Sequence, residues 1–313
     1  MVHRMDAVKV MTEVSQLPYI DESMRRSSTS YDREGYNKDY DQRLYLDEKG
    51  HQVLLDAKGP GCVYKLFLPT VENPDDFLHV YIDGCEIPFI SGSVQDIFSG
   101  QISYIPKELV EINVPGVEGT VRQSGYIMYM PIPFAESIKI TATADSNVYF
   151  YYHIDYTVYP PETKIDSYSR NQDNSLLTDI MQSGLGICGQ KKDGAFTIAT
   201  GEANTFFTLR DTTAQITCLR LKMDSIHAKG GNPQAYLRLN HLRLKIFFDG
   251  EGKPSVDVPL SGIFGFPTHG PDPNAPDYRT KCIAFGIDDA DWLYLKLPMP
   301  FRDRVEVQIE NHT

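Results

Sequence analysis

The sequence predicts an all-β protein built as two tandem jelly-roll β-sandwiches, a double jelly roll. Three observations lead there. Short runs rich in β-branched and aromatic residues alternate with Gly, Pro, Asn and Asp turn signals, and helical periodicity is nearly absent. At 313 residues the chain suits two domains, each large enough to bury its own core. Finally, one stretch is written twice: Met130-Pro131-Ile132-Pro133-Phe134 returns as Leu297-Pro298-Met299-Pro300-Phe301, an offset of 301 − 134 = 167. Upstream, Asp83-Gly84, Pro88 and Phe98 return as Asp249-Gly250, Pro254 and Phe264 at 249 − 83 = 166. Downstream, the alternation Ile138-Lys139-Ile140-Thr141 is matched by Val305-Glu306-Val307-Gln308. Self-similarity in one register points to a repeated architecture whose unit is a whole domain.

Taken in order, residues 1–43 read as an N-terminal arm, with a short helix near residues 5–11 and polar, loop-like chain after Pro18. A long arm of this kind is either disordered or functional. Residues 44–160 form the first jelly roll. Its strand signals are residues 52–55, 62–68, 77–82, 103–105, 126–130, 137–142 and 148–158, with Gly59-Pro60-Gly61 as a strong turn. Residues 161–193 read as a linker holding one helix, residues 175–181. Residues 194–313 form the second jelly roll, with strands at 194–200, 205–209, 214–223, 236–248, 292–297 and 304–309. In the first copy an aromatic strand, Ser146 to Tyr156, follows Ile140. Its counterpart would start at 146 + 167 = 313, where the sequence stops, so the second sandwich is expected to lack its closing strand. The expected source of that strand is chain beyond Thr313, a partner subunit or the arm.

Composition narrows the function classes. A net charge of −12 argues against a nucleic-acid grip, which needs clustered Lys and Arg. Five scattered Cys, none in a CxxC pair, make no disulfide framework and point to a reducing, cytoplasmic setting. Asp6, Lys9 and Glu13 interrupt the first twenty residues, which therefore lack a secretory h-region, and no apolar run is long enough to span a membrane. The eight His show neither HxH nor HExxH spacing, so no zinc site is expected. Ser183-Gly184-Leu185-Gly186 is no nucleophile elbow, and residues 116–119 lack the GK[ST] of a phosphate cradle. Asp288-Asp289-Ala290-Asp291 with Asp272 offer oxygen ligands without EF-hand spacing. No metal and no cofactor are expected.

Several residues together carry a family resemblance. They are Ser30-x-Asp32-Arg33-x-Gly35-x-Asn37-x-Asp39, then Gly59-Pro60-Gly61, the Asp-Gly-x-x-x-Pro turns, and Val256-x-Val258-Pro259-Leu260-x-x-x-Phe264-Gly265 followed by Pro298-Met299-Pro300-Phe301. Over residues 28–160 and 214–311 the chain resembles glycoside hydrolase family 172. The resemblance implies a double jelly roll, usually trimeric, acting on furanosides of fructose or arabinose. It implies a saccharide partner and a homo-oligomer, trimer or hexamer. The family's two catalytic carboxylates sit in Gly-Glu-Gly-Asp and Gly-Thr-Gly-Thr-Glu-Asp-Tyr motifs, and neither is present here. Gly250-Glu251-Gly252 is followed by Lys253 and falls in the turn equivalent to Gly84. The catalytic acids are thus expected outside this chain or replaced. A non-catalytic jelly-roll assembly or sugar-binding module is the alternative.

With 42 Asp and Glu, carboxylates are too plentiful to select a catalytic pair from sequence. Asp83 and Asp249, with neighbouring Glu86 and Glu251, read first as turn formers. The candidates for sugar binding are Asp32, Arg33, Asn37 and Asp39, whose planar carboxylate, guanidinium and amide groups match neighbouring hydroxyls through paired hydrogen bonds. Their other reading is an arm anchored by its own polar groups. Tyr36 and Tyr40 are candidates for stacking on a sugar face.

Overall fold

A computed structural model describes residues 4–114, 123–143, 150–186, 189–229, 232–266 and 284–313. The chain divides into two compact units, residues 1–12 with 21–183, and residues 13–20 with 184–313. Both are antiparallel β-sandwiches.

The first unit opens with β1 (Arg4–Met5) and helix α1 (Ala7–Thr12), then β2 (Met24–Thr29), β3 (Tyr45–Leu46), β4 (Gln52–Lys58) and β5 (Gly61–Val71). There follow β6 (Phe77–Ile82), β7 (Ile90–Ser93), α2 (Val94–Phe98), β8 (Val110–Val114), β9 (Gln123–Met128), β10 (Ile132–Phe134), β11 (Ser137–Ala142), β12 (His153–Val158), β13 (Lys164–Ile165) and α3 (Ser175–Ser183). One sheet runs β2-β12-β5-β9-β8, with β10 also paired to β5; the other runs β3-β4-β11-β6-β7. Between them lies a core that includes Leu54, Leu66, Leu68, Ile90, Tyr126, Phe134, Ile140 and Ile154, all at 2 % exposure or less. Each such side chain contributes roughly 1.5–3 kcal/mol by leaving water. Ser93 caps α2 by accepting from the Asp96 N–H at 3.0 Å.

The second unit has β14 (Ala203–Leu209), β15 (Ala214–Ile216), β16 (Leu219–Lys222), α4 (Pro233–Leu237), β17 (Leu242–Phe248), β18 (Val256–Pro259), α5 (Leu260–Ile263), β19 (Phe285–Ile287), β20 (Trp292–Leu295), β21 (Met299–Phe301) and β22 (Val305–Asn311). Its main sheet runs β14-β22-β17-β18, in the same order as β4-β11-β6-β7 of the first unit. The remaining strands form β16-β20-β19 and the pair β15-β21. A bulge interrupts β4 against β11 at Ile140/Thr141, and another interrupts β14 against β22 at Thr205/Phe207. The bulges skip one residue each, Leu54 of β4 and Phe206 of β14, so each re-aims the same point of the sheet.

The twice-written motifs meet in space. The Asp83 carboxylate accepts from the Glu136 N–H at 2.7 Å and the Ser137 N–H at 3.1 Å, just past Phe134. The Asp249 carboxylate accepts from the Arg302, Asp303 and Arg304 N–H groups, just past Phe301. Asp83 and Asp249 have φ of 52° and 50°, a left-handed conformation that Asp tolerates in turns. Each Asp-Gly turn therefore latches the Pro-Phe corner of its own sandwich. Gly59-Pro60-Gly61 serves the same corner: a Cβ on Gly61 would lie 2.4 Å from the Phe134 ring and 2.6 Å from the Thr157 carbonyl.

Several expectations need correction. Residues 103–105 form no strand; Ile105 is buried by a turn in which its N–H reaches the Ile102 carbonyl at 2.9 Å. Residues 194–200 are irregular, and Ile198 packs on the core without a ladder. Residues 236–248 are not one strand, because Asn232 caps and Pro233 opens α4 before β17 begins at Leu242. The polar stretch after Pro18 holds β2, an edge strand on β12. The first-copy closing strand starts at His153; Ser146 to Tyr149, residues 116–119, Asp272, Cys188 and Cys282 lie outside the described residues. No helix among the described residues is long and apolar enough to cross a membrane.

Candidate functional site

The four sugar-binding candidates come together in one loop, residues 30–41, at the end of β2. Two hydrogen bonds anchor its start: the Ser30 N–H donates to the Tyr152 carbonyl at 3.1 Å, and the Tyr152 N–H donates to Ser30 Oγ at 3.2 Å. Asp32 organises the rest. Its carboxylate accepts from the backbone N–H groups of Glu34 (2.9 Å), Tyr36 (3.0 Å) and Lys38 (3.0 Å). Asp39 closes the loop by accepting from the Asp32 N–H at 2.7 Å. The Glu34 N–H, then those of Lys38 and Tyr36, hold the Asp32 carboxyl below its ordinary range. Gly35 and Asn37 take left-handed φ of 80° and 59° where the chain reverses.

The two acids of the quartet thus work inward, on the loop's own backbone. Arg33 and Asn37 are exposed. Arg33 donates to the carbonyls of Tyr31 and Thr29, both at 3.3 Å, and its guanidinium lies 4.8 Å from the Tyr31 ring centre. Tyr31 and Tyr36 are 58 % and 71 % exposed. Tyr31 was not among the sequence candidates, although its place beside Asp32-Arg33 was a readable signal. Tyr40 is only half-exposed, and its carbonyl accepts from the Phe150 N–H. The loop therefore presents a planar cation and two aromatic faces on a frame that its own carboxylates stiffen.

Other candidates are absorbed by structure. Glu251 accepts from Ser255 Oγ at 2.6 Å within the hairpin turn. Asp288 pairs with Arg220 and accepts from the Ala290 and Trp292 N–H groups, both at 3.0 Å. Asp291 accepts from the Ala228 N–H at 2.7 Å and faces His227 Nδ1 at 3.0 Å. The His227 side chain, then the Ala228 N–H, holds the Asp291 carboxyl below its ordinary range. Among the described residues no group of three His, Cys, Asp or Glu is placed to hold a metal ion. A shallow cleft in the second unit is lined by Ser225, His227, Asn232, Gln234, Ala235 and Arg238, with no carboxylate in its wall.

Two sandwiches with matching sheet order and matching Asp-latched Pro-Phe corners define a tandem β-sandwich protein. Residues 21–176 match the family model described as the GH172 first beta-sandwich domain, and residues 189–313 match the one described as GH172 domain-like. The chain belongs to glycoside hydrolase family 172. No curated protein sequence matches it.

Proposed function

We propose that this chain is the duplicated jelly-roll scaffold of a furanoside-acting protein, and that loop 30–41 makes its contact with the sugar. One observation carries the reading: family membership across both sandwiches, joined to a surface loop that spends Asp32 and Asp39 on its own backbone and turns Arg33, Asn37, Tyr31 and Tyr36 to solvent. A guanidinium and an amide donate to vicinal hydroxyls, and a tyrosine face covers the C–H side of a sugar ring. The assembly we expect is a homo-oligomer, trimer or hexamer.

The test is calorimetric titration with nitrophenyl arabinofuranosides and fructofuranosides. Arg33→Ala and Tyr36→Ala should each weaken binding about tenfold, ~1.4 kcal/mol. Unchanged affinity in both variants removes the loop from the site. A second reading, a non-catalytic sugar-binding or assembly module, is favoured by the absence of the Gly-Glu-Gly-Asp and Gly-Thr-Gly-Thr-Glu-Asp-Tyr motifs from this sequence. Release of nitrophenol by the chain decides for hydrolysis; binding without release decides for the module.

A further inference from the structure

The second unit holds a histidine that the fold fixes on one side and leaves open on the other. His227 follows β16 and lies between Ile226 and Ala228, which are 0 % and 1 % exposed, so the backbone beneath its ring is pinned to the core. The Tyr236 hydroxyl of α4 donates to the His227 carbonyl. His227 Nδ1 lies 3.0 Å from one oxygen of Asp291, in the turn between β19 and β20, and the other oxygen accepts from the Ala228 N–H at 2.7 Å. The Asp291 carboxyl is held below its ordinary range, so it only accepts, and Nδ1 carries the proton they share. In the neutral ring the other nitrogen, Nε2, is then an acceptor.

The His227 side chain is exposed and borders the shallow cleft of about 390 Å³ that Ser225, Asn232, Gln234, Ala235 and Arg238 also line. Most of the polar groups there are unspent. The Arg238 guanidinium, the Ser225 hydroxyl and the Gln234 side-chain amide make no hydrogen bond or ion pair with the described residues. Asn232 Oδ1 accepts from the Gln234 N–H at 2.9 Å as the cap of α4, so its amide nitrogen is the group left to donate. The wall thus offers one guanidinium, several neutral donors and the acceptor on His227. It has no carboxylate, on a protein whose net charge is −12.

Donors around a guanidinium suit an oxyanion, because the planar fork of Arg meets two oxygens of a carboxylate or phosphate at once. A neutral sugar would leave Arg238 without a counter-charge. An anion with no hydroxyl would leave Nε2 without a donor. We propose that this cleft binds an acidic sugar, with its carboxylate or phosphate on Arg238 and a neighbouring hydroxyl donating to His227 Nε2. The cleft belongs to the second unit and loop 30–41 to the first, so the site does not depend on that loop's role.

The experiment follows the ring nitrogens of His227 in the full chain by NMR at mildly alkaline pH. D-galacturonate and D-arabinose 5-phosphate are the probes, and L-arabinose and acetate the controls. In the free protein the ring proton should sit on Nδ1. An acidic sugar should shift Nε2 at millimolar concentration, and both controls should bind at least about tenfold more weakly. Binding of galacturonate alone assigns the cleft to sugar acids, of the phosphate alone to sugar phosphates, and of both to the oxyanion they share. Arg238→Gln should weaken binding at least about tenfold while the His227 signals of the free protein stay in place, which shows that the fold persists. Lys253→Gln, at an exposed cation elsewhere in the second unit, should change nothing. Arg33→Ala should also leave this binding unchanged, so that failure here is separate from failure of loop 30–41. The proposal is overturned if neither acidic sugar moves the His227 ring, or if arabinose or acetate binds as well. It is equally overturned if Arg238→Gln binds like the parent protein, or if Lys253→Gln weakens binding as much as Arg238→Gln.

Discussion

The two sandwiches share a frame and differ in closure. Both place an Asp-Gly turn against a Pro-Phe corner, and both carry a bulge at one point of the same four-strand sheet. In the first, β12 and β2 complete the second sheet, and Ser28 Oγ donates to the Leu54 carbonyl at 2.6 Å, from one sheet to the other. In the second, the matching positions stay half-exposed. A corner is set by contacts close in the fold and spelled by a few residues. Closure needs a strand brought from far along the chain, so two units with the same corner can differ in how dry their interiors are.

The largest effect that would sharpen this comparison is at the corner rings. Phe134 is fully buried and Phe301 is 3 % exposed, so both →Ala variants should be costly. Phe134→Ala should cost about 4–5 kcal/mol and Phe301→Ala about 3 kcal/mol, because the sandwich with less deeply buried neighbours can relax around the cavity. Urea unfolding checks this, with Trp292 fluorescence reporting the second unit. Equal losses would mean that the partial exposure of Phe206 and Phe207 does not soften the second core.

A smaller effect separates the strand positions beneath those rings. Gly61→Ala puts a Cβ at 2.4 Å from the Phe134 ring and should cost about 1–3 kcal/mol. Its counterpart, Ala214, already carries that Cβ, so Ala214→Gly should cost only about 0.5–1 kcal/mol. Thermal unfolding of the pair reads the difference directly. If Gly61→Ala is neutral, the ring has room to move and the two corners are packed alike.

The smallest effect is on pH dependence. The Asp303 N–H, then those of Arg302 and Arg304, hold the Asp249 carboxyl below its ordinary range. Its folded pKa is thus below its unfolded one, near 3.9. The stabilisation is complete above the unfolded value and is lost as pH falls through the folded one. Asp249→Asn should therefore flatten the acid limb of the Trp292 unfolding profile below about pH 4 and leave the neutral region nearly parallel to that of the parent protein. An acid limb unchanged in the variant would remove the carboxylate from the latch.

Much of the frame was legible because it rests on local chemistry. Asp-Gly turns, a Gly-Pro-Gly approach and Pro-Phe corners each impose a backbone geometry that few other residues accept. The strands that were misplaced share a different feature. Residues 103–105 and 194–200 have strand-like composition, yet lie in turns and irregular chain, from which Ile105 is buried and Ile198 half-buried. Met24–Thr29 has little strand-like composition, and is a strand because β12 offers it an edge. Similarly, Asp32, Arg33, Asn37 and Asp39 were readable as one polar cluster. That both acids and Arg33 would engage the loop's own backbone depended on which amides and carbonyls each could reach.

By itself, then, the order of residues determined the fold class, the family and the doubled corner, since each follows from side-chain types at short spacing. Only the three-dimensional arrangement decided which edges are paired among the described residues and which acids are spent on backbone amides. Hydrogen bonds between strands many residues apart involve backbone groups common to every residue, so their partners are selected by geometry and burial of the whole unit.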